Sequence, residues 1–139
     1  MQLVTISSTV TAAVVDAVAA AVRVDLDEVT YDATLLGDLG AESIDVLDIL
    51  FRLERALSVR ISAGQLAGYL RGDIPDTEFA DANEIVTGRG LEQLARVMPQ
   101  IDTARLAGKL QADEVIGLFT VGNLAALVQQ RLDASTAAA

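Results

Sequence analysis

The clearest structural signal in the chain is the run from Ser43 to Leu57, whose apolar residues recur at the spacing of a helix. At 100° per residue, Asp45, Asp48, Arg52 and Arg55 fall together on one face of that helix. Aromatic residues make up only 4% of the chain, while Ala, Leu and Val dominate, and such residues suit helix packing better than sheet packing. The sequence therefore predicts an all-α fold.

Further helices are predicted on both sides of this run. A first helix should end at about Arg23, and a last helix should begin beside Thr120. Between them, another helix should end near Met98, because Pro99 follows. Shorter helices are expected at 62–71, 103–110 and 113–118, loops at 25–42 and 73–84, and an extended stretch at 59–61. The predicted caps are Ser7 or Ser8, Ser62, Thr87 and Thr120.

Length and composition indicate one compact unit. A chain of 139 residues with 52% hydrophobic residues can bury a real core. We expect a single domain over 1–133, followed by a disordered tail at 134–139.

The residue inventory excludes several kinds of function. With no Cys and no His, the chain has no disulfides, no ordinary zinc site and no histidine-dependent catalytic pair. A net charge of −10 disfavours nucleic acid and anionic membrane as partners and favours basic partner proteins. The apolar stretch 10–24 contains Asp16 and is too short to span a bilayer, so we expect a cytoplasmic protein with no membrane span. We also expect the protein to be a monomer.

Ser43 is the residue most suited to carry chemistry. A Ser where a loop becomes a helix projects its hydroxyl beside unpaired N–H groups and the positive end of the helix dipole. A phosphate ester would be stabilised there. The alternative is that Ser43 only caps the helix, as Ser commonly does at this position.

The run Gly40-Ala41-Glu42-Ser43-Ile44 resembles the acyl carrier protein family, whose hallmark is a Gly-Ala/Val-Asp-Ser-Leu motif at the start of the second helix. The resemblance covers roughly 8–62 and 115–132. It includes the loop motifs 32–35 and 38–40, an apolar exit strand at 57–61, and 120–124 as the start of the final helix.

This resemblance implies a helical bundle in which Ser43 receives 4′-phosphopantetheine from coenzyme A through a phosphopantetheinyl transferase. The arm would hold acyl groups as thioesters for fatty acid, polyketide or specialised lipid and secondary-metabolite synthesis, and the protein itself would be no enzyme. Its other partners would be an acyl-loading ligase, a ketosynthase or an acyltransferase with a basic docking surface. The docking residues would be Asp38, Glu42, Ile44, Asp45, Leu47 and Asp48.

The chain departs from the family pattern in several places. Glu42 replaces the usual Asp and Ile44 the usual Leu, and Arg52 and Arg55 stand on a helix that is typically acidic. Compared with a minimal carrier of this family, about fifty residues at roughly 63–114 form an insertion. Its large apolar side chains could pack into a second small layer that lengthens an acyl cavity, or form a recognition surface. These side chains are Tyr69, Phe79, Leu91, Leu94 and Met98.

Other interpretations remain open at this level. The acids near Ser43 could simply complement the helix dipole, with Asp48 and Arg52 as an i,i+4 pair. Ile44, Leu47 and Phe51 could contact partners, line an acyl tunnel or be covered by the inserted helices, the last being favoured for Phe51. The whole chain could also be an aminoacyl or peptidyl carrier, or a helical interaction protein without an arm.

Overall fold

The fold consists of helices joined by ordered loops. The computed structural model describes residues 6–138, and for 135–138 it describes the backbone only. The helices are α1 (Ser8–Val22), α2 (Ser43–Leu57), α3 (Ala63–Arg71), α4 (Asp76–Phe79), α5 (Gly88–Val97), α6 (Thr103–Leu106) and α7 (Val121–Ala138), with 3₁₀ segments at Leu26–Glu28 and Ala112–Leu118. Between residues 6 and 138 only isolated β-bridges occur, so the prediction of an all-α fold is confirmed.

The predicted helix starts are confirmed by their capping hydrogen bonds. In each case the side-chain oxygen accepts a bond of 3.1–3.2 Å from the backbone N–H three residues ahead, which satisfies one of the free donors at a helix start. The capping residues are Ser7, Ser62, Thr87 and Thr120.

Several predicted boundaries were wrong. The predicted loop 73–84 contains α4, whose start at Asp76 follows Pro75, a residue with the φ of −61° that a helix start accepts. The helix predicted at 103–110 ends at Leu106, and Gly108 (φ +73°) then turns the chain.

In the predicted extended stretch 59–61, Val59 and Ile61 are buried and lie outside the helices. A further prediction about regular structure was wrong. The predicted disordered tail is helical over 134–138, because α7 continues to Ala138 through Ala-rich sequence with high helix propensity. Ala139 lies outside the described residues.

The core lies where α1 packs against α2 and α7. Val14, Val18, Ile49 and Leu53 are almost completely buried there. The inserted helix α5 packs against α3 and places Leu91, Leu94 and Met98 in the same hydrophobic cluster, while Tyr69 and Phe79 pack at its edge. Burial raises the pKa of the Tyr69 phenol. The insertion therefore forms a packed layer.

Asn123, in the first turn of α7, joins this layer to the rest of the bundle. It is only 6% exposed, and its Oδ1 accepts a hydrogen bond from Thr120 N at 3.0 Å. Its Nδ2 donates to Val97 O and to Gln100 Oε1, both at 3.2 Å. One buried amide thus satisfies the start of α7 and the end of α5 together, a role that the sequence pattern alone did not indicate.

Replacing Asn123 by Ala should lower the free energy of unfolding by about 1–3 kcal/mol, because buried partners at both helix ends lose their hydrogen bonds. Urea unfolding followed by circular dichroism measures the change. Gln130→Ala, at an exposed position of the same helix, is the control and should change stability by less than about 0.5 kcal/mol. Equal effects of the two substitutions would contradict the joining role of Asn123.

Two glycines of α5 offer a second matched pair. A Cβ added at Gly90 would lie 2.5 Å from Phe79 O and 2.8 Å from Val86 Cγ1, whereas nothing lies within 4 Å of one added at Gly88. Gly90→Ala should therefore destabilise the protein by about 1–3 kcal/mol through overpacking. Gly88→Ala should be neutral or stabilising by up to about 1 kcal/mol. Thermal unfolding compares the two, and a Gly90→Ala protein as stable as the wild type would refute the close packing of α4 on α5.

Candidate functional site

The loop that leads into α2 is held by backbone hydrogen bonds. Leu35 N donates to Phe119 O at 3.1 Å, and Val121 N donates to Ala33 O at 2.9 Å, so the loop is tied to the residues at the start of α7. Ala41 N then donates to Leu35 O at 2.9 Å, and the buried Ala41 closes the turn. These bonds determine where the chain enters α2.

Asp38 stabilises the same loop. Its Oδ2 accepts a hydrogen bond from Thr34 N, and its own N–H donates to Thr34 Oγ1, both at 2.9 Å. Gly40, with φ +73°, then makes the turn that a residue with a side chain would resist. Asp38 is exposed, so it stands at the surface beside the start of α2 while it also orders the loop.

Ser43 is the first residue of α2, and Glu42 occupies the capping position before it. Glu42 N donates to Asp45 Oδ2 at 2.8 Å, which satisfies the backbone at the helix start. The exposed hydroxyl of Ser43 forms no hydrogen bond with any residue that the structure describes. The alternative that Ser43 acts as the helix cap is therefore wrong. An acid followed three residues later by another acid was the sequence signal for this cap.

An apolar stripe on α2 is exposed to solvent. Ile44 is 70% exposed, Leu47 52% and Phe51 56%. The inserted helices do not cover these side chains, so the covering expected for Phe51 was wrong. Such exposure also excludes them as the lining of an enclosed tunnel, which leaves a surface that faces outward.

Charged groups run beside this stripe. Arg52 Nε lies 3.1 Å from Asp48 Oδ1, and nearly half of each side chain is exposed, which confirms the expected i,i+4 pair. The guanidinium of Arg55 lies 5.8 Å from the centre of the Phe51 ring. The exposed face of α2 therefore combines apolar, acidic and basic groups.

Two open grooves border the loop before Ser43. One, of about 380 Å³, is lined in part by Asp38 and Leu39. The other, of about 580 Å³, lies between Leu36 of the loop and apolar residues around Leu110 and Leu118. An exposed, unbonded hydroxyl beside the free N–H groups of a helix start fits the attachment of a phosphate-linked arm.

None of the helices described between residues 6 and 138 combines the length and the apolar composition that a bilayer crossing requires. Within the same residues, no group of three or more acidic side chains is placed to hold a metal ion.

Comparisons with known proteins agree with this geometry. A family model described as the phosphopantetheine attachment site matches residues 12–70. The acyl carrier protein AcpXL of Brucella melitensis is 31% identical over 67 residues, which are 48% of this chain and 72% of the relative. An acyl carrier protein of Clostridium perfringens is 35% identical over 46 residues, 33% of this chain and 60% of the relative.

A third relative, an acyl carrier protein of Syntrophobacter fumaroxidans, is 40% identical over 48 residues, 34% of this chain and 59% of the relative. No solved structure gives a significant match.

The matched family accounts for the cofactor and the kind of activity. The chain is an acyl carrier with covalent 4′-phosphopantetheine, and like its family it is a carrier rather than an enzyme. The alternative of a helical interaction protein without an arm is thereby wrong. Its helical architecture, the phosphopantetheine family model and the identity to AcpXL lead to one conclusion: this chain belongs to the acyl carrier protein family.

Proposed function

We propose that Ser43 is the residue to which the 4′-phosphopantetheine arm is attached. The observation that carries the proposal is the exposed Ser43 hydroxyl, unbonded within the described residues, at the first position of α2. The two other serines of the matched segment suit an arm less well. Ser62 caps α3 with its side chain, and Ser58 ends α2, where the negative end of the dipole repels a phosphate.

The residues around Ser43 support the attached phosphate in this proposal. The free N–H groups of the first turn of α2 and its dipole stabilise the phosphodiester charge, while the bonded loop holds the helix start in place. The arm itself supplies a thiol that binds acyl groups as thioesters. Since the transferase provides the base, Ser43 needs none of its own.

The pathway and cargo form the finer part of the proposal. We assign the protein to fatty acid, polyketide or specialised lipid and secondary-metabolite synthesis, as a cytoplasmic monomer whose carrier domain spans 1–133 with 63–114 as an insertion. The acidic start of α2 favours acyl over aminoacyl or peptidyl cargo. Loading assays with acyl- and aminoacyl-adenylating enzymes distinguish these cargoes, and aminoacyl loading alone would contradict the choice.

The partners of this step are a phosphopantetheinyl transferase and an acyl-loading ligase, ketosynthase or acyltransferase with a basic face. Such partners would meet the exposed acids and apolar side chains beside Ser43. In this proposal the docking residues are Asp38, Glu42, Ile44, Asp45, Leu47 and Asp48. Asp38 and Asp45 also hold the local backbone, so they serve both order and docking.

Ser43→Ala tests the attachment site. After incubation with coenzyme A, magnesium and a broad-specificity transferase, the intact mass of the wild type should rise by one phosphopantetheine and that of Ser43→Ala should not. Ser58→Ala is the matched control and should still be loaded. Because Ser43 is not the cap, its substitution should change the free energy of unfolding by less than about 0.5 kcal/mol. A mass gain on Ser43→Ala would assign the arm to another residue.

The docking acids are tested by neutralising Glu42 and Asp45 together as Glu42→Gln and Asp45→Asn, which keep side-chain oxygens for the helix start. We expect kcat/KM of the transferase to fall about threefold to tenfold at low salt, because KM rises. The fall in kcat/KM should be smaller at high salt. Asp73→Asn with Glu92→Gln makes the same charge change at exposed positions outside α2 and should have little effect. Equal losses in both pairs would point to net charge rather than docking.

A further inference from the structure

The exposed face of α2 changes its charge halfway along. Each turn places an apolar side chain next to a charged one: Ile44 beside Asp45, Leu47 beside Asp48, and Phe51 beside Arg52, with Arg55 one turn further. The first two charges are negative and the last two are positive. At 1.5 Å per residue, Arg52 lies about 10 Å beyond Asp45 along the helix axis. A bound partner would therefore meet two regions of opposite sign on one surface.

The two arginines are not needed to hold the fold together. Arg52 pairs only with Asp48 on its own helix. Because nearly half of each side chain is exposed to solvent, this ion pair adds little stability. Arg55 lies over Phe51, which is itself exposed. In the part of the chain that the structure describes, neither arginine forms a hydrogen bond or ion pair with another helix. Both guanidinium groups are available to a partner.

The surface next to these charges is shaped to receive side chains. A groove of about 360 Å³ runs between the end of α1 and α2. It is lined by Asp45, Asp48 and Arg52 and by Arg23 at the end of α1. This groove presents both signs of charge, with Asp45 about two turns before Arg52 along α2, so a partner has to match the order of the charges.

We infer that the second half of α2 selects the partner enzyme, by requiring a carboxylate that faces Arg52 and Arg55. The full occupant is an enzyme whose carrier-binding face has basic groups for Glu42 and Asp45, an apolar centre for the stripe, and an acidic group for the arginines. Along the helix axis this acidic group lies about 10 Å or more beyond the group that faces Asp45. This inference rests on the proposed docking role of α2.

Repulsion makes this arrangement selective. An enzyme with a uniformly basic face would place a positive group against Arg52 or Arg55, and like charges in contact disfavour the wrong partner. The pair of Phe51 and Arg55 adds an aromatic and a guanidinium group, the kinds of side chain that dominate binding at interfaces. Acids alone would attract any basic partner, whereas the change of sign distinguishes among them.

The test uses the apo-protein, coenzyme A and a phosphopantetheinyl transferase whose carrier-binding face is basic throughout. Reversing both charges with Arg52→Glu and Arg55→Glu should raise kcat/KM about threefold or more at low salt, through a lower KM, and the gain should shrink at high salt. Arg52→Gln with Arg55→Gln should give a smaller gain without adding repulsion to Asp48. This second pair keeps the test valid if the reversed helix is less stable.

The matched control is Arg96→Glu with Arg105→Glu, which makes the same change in net charge at exposed positions of α5 and α6. It should leave kcat/KM nearly unchanged. An equal rise in the control, or no rise with either α2 pair, would overturn the inference while loading at Ser43 left the proposed function intact. Failure of the wild type to gain any mass at Ser43 would overturn both.

The carboxylate is tested on the transferase itself. Each basic residue of its carrier-binding face is changed to Glu in turn, and each variant is assayed with the wild type and with the Arg52→Glu, Arg55→Glu protein. At one position of the transferase at least, the change to Glu should raise kcat/KM for the wild-type carrier chain and lower it for the carrier chain with Arg52→Glu and Arg55→Glu. If every change lowers both rates, no such pairing exists and the inference fails.

Discussion

The position of Ser43 depends on a few backbone hydrogen bonds between the loop before α2 and the start of α7. Leu35 N bonds Phe119 O, and Val121 N bonds Ala33 O, so two segments more than eighty residues apart in sequence hold each other. The bond from Ala41 N to Leu35 O carries this constraint to the start of α2. Because buried backbone groups must be paired, the loop has little freedom to move the helix start. Both anchoring segments lie outside the insertion, which explains how fifty extra residues leave this geometry in place.

The insertion nevertheless connects to the same place. Asn123 follows directly after the residues that hold the loop, and its amide bonds the end of α5 and Gln100. The inserted layer therefore supports the start of α7 instead of covering α2. In this arrangement α5 packs against α3 and is linked to the start of α7 through Asn123, while the exposed stripe of α2 stays open. In this chain the fold is enlarged without blocking the helix that begins at Ser43.

Sequence reasoning succeeded where the cause is local. Ser62 and Thr87 cap their helices because a hydroxyl bonds a backbone N–H three residues ahead, and that pattern is visible in the chain itself. Sequence reasoning failed where packing between distant segments decides whether a side chain is buried or exposed. The exposure of Phe51 depends on where the inserted helices settle, and the buried role of Asn123 depends on the approach of α5. The cap at Glu42 was a local feature that was missed, since a Ser at the next position is the commoner cap.

The exposed stripe on α2 fits the docking role proposed for this helix. Three large apolar side chains on adjacent turns give a patch that soluble proteins seldom leave open without a binding role. The insertion contributes Leu91, Leu94 and Met98 to the hydrophobic cluster, and the stripe stays uncovered. In the proposed docking role, an uncovered stripe flanked by acids on one half and arginines on the other would provide both affinity and a basis for discrimination.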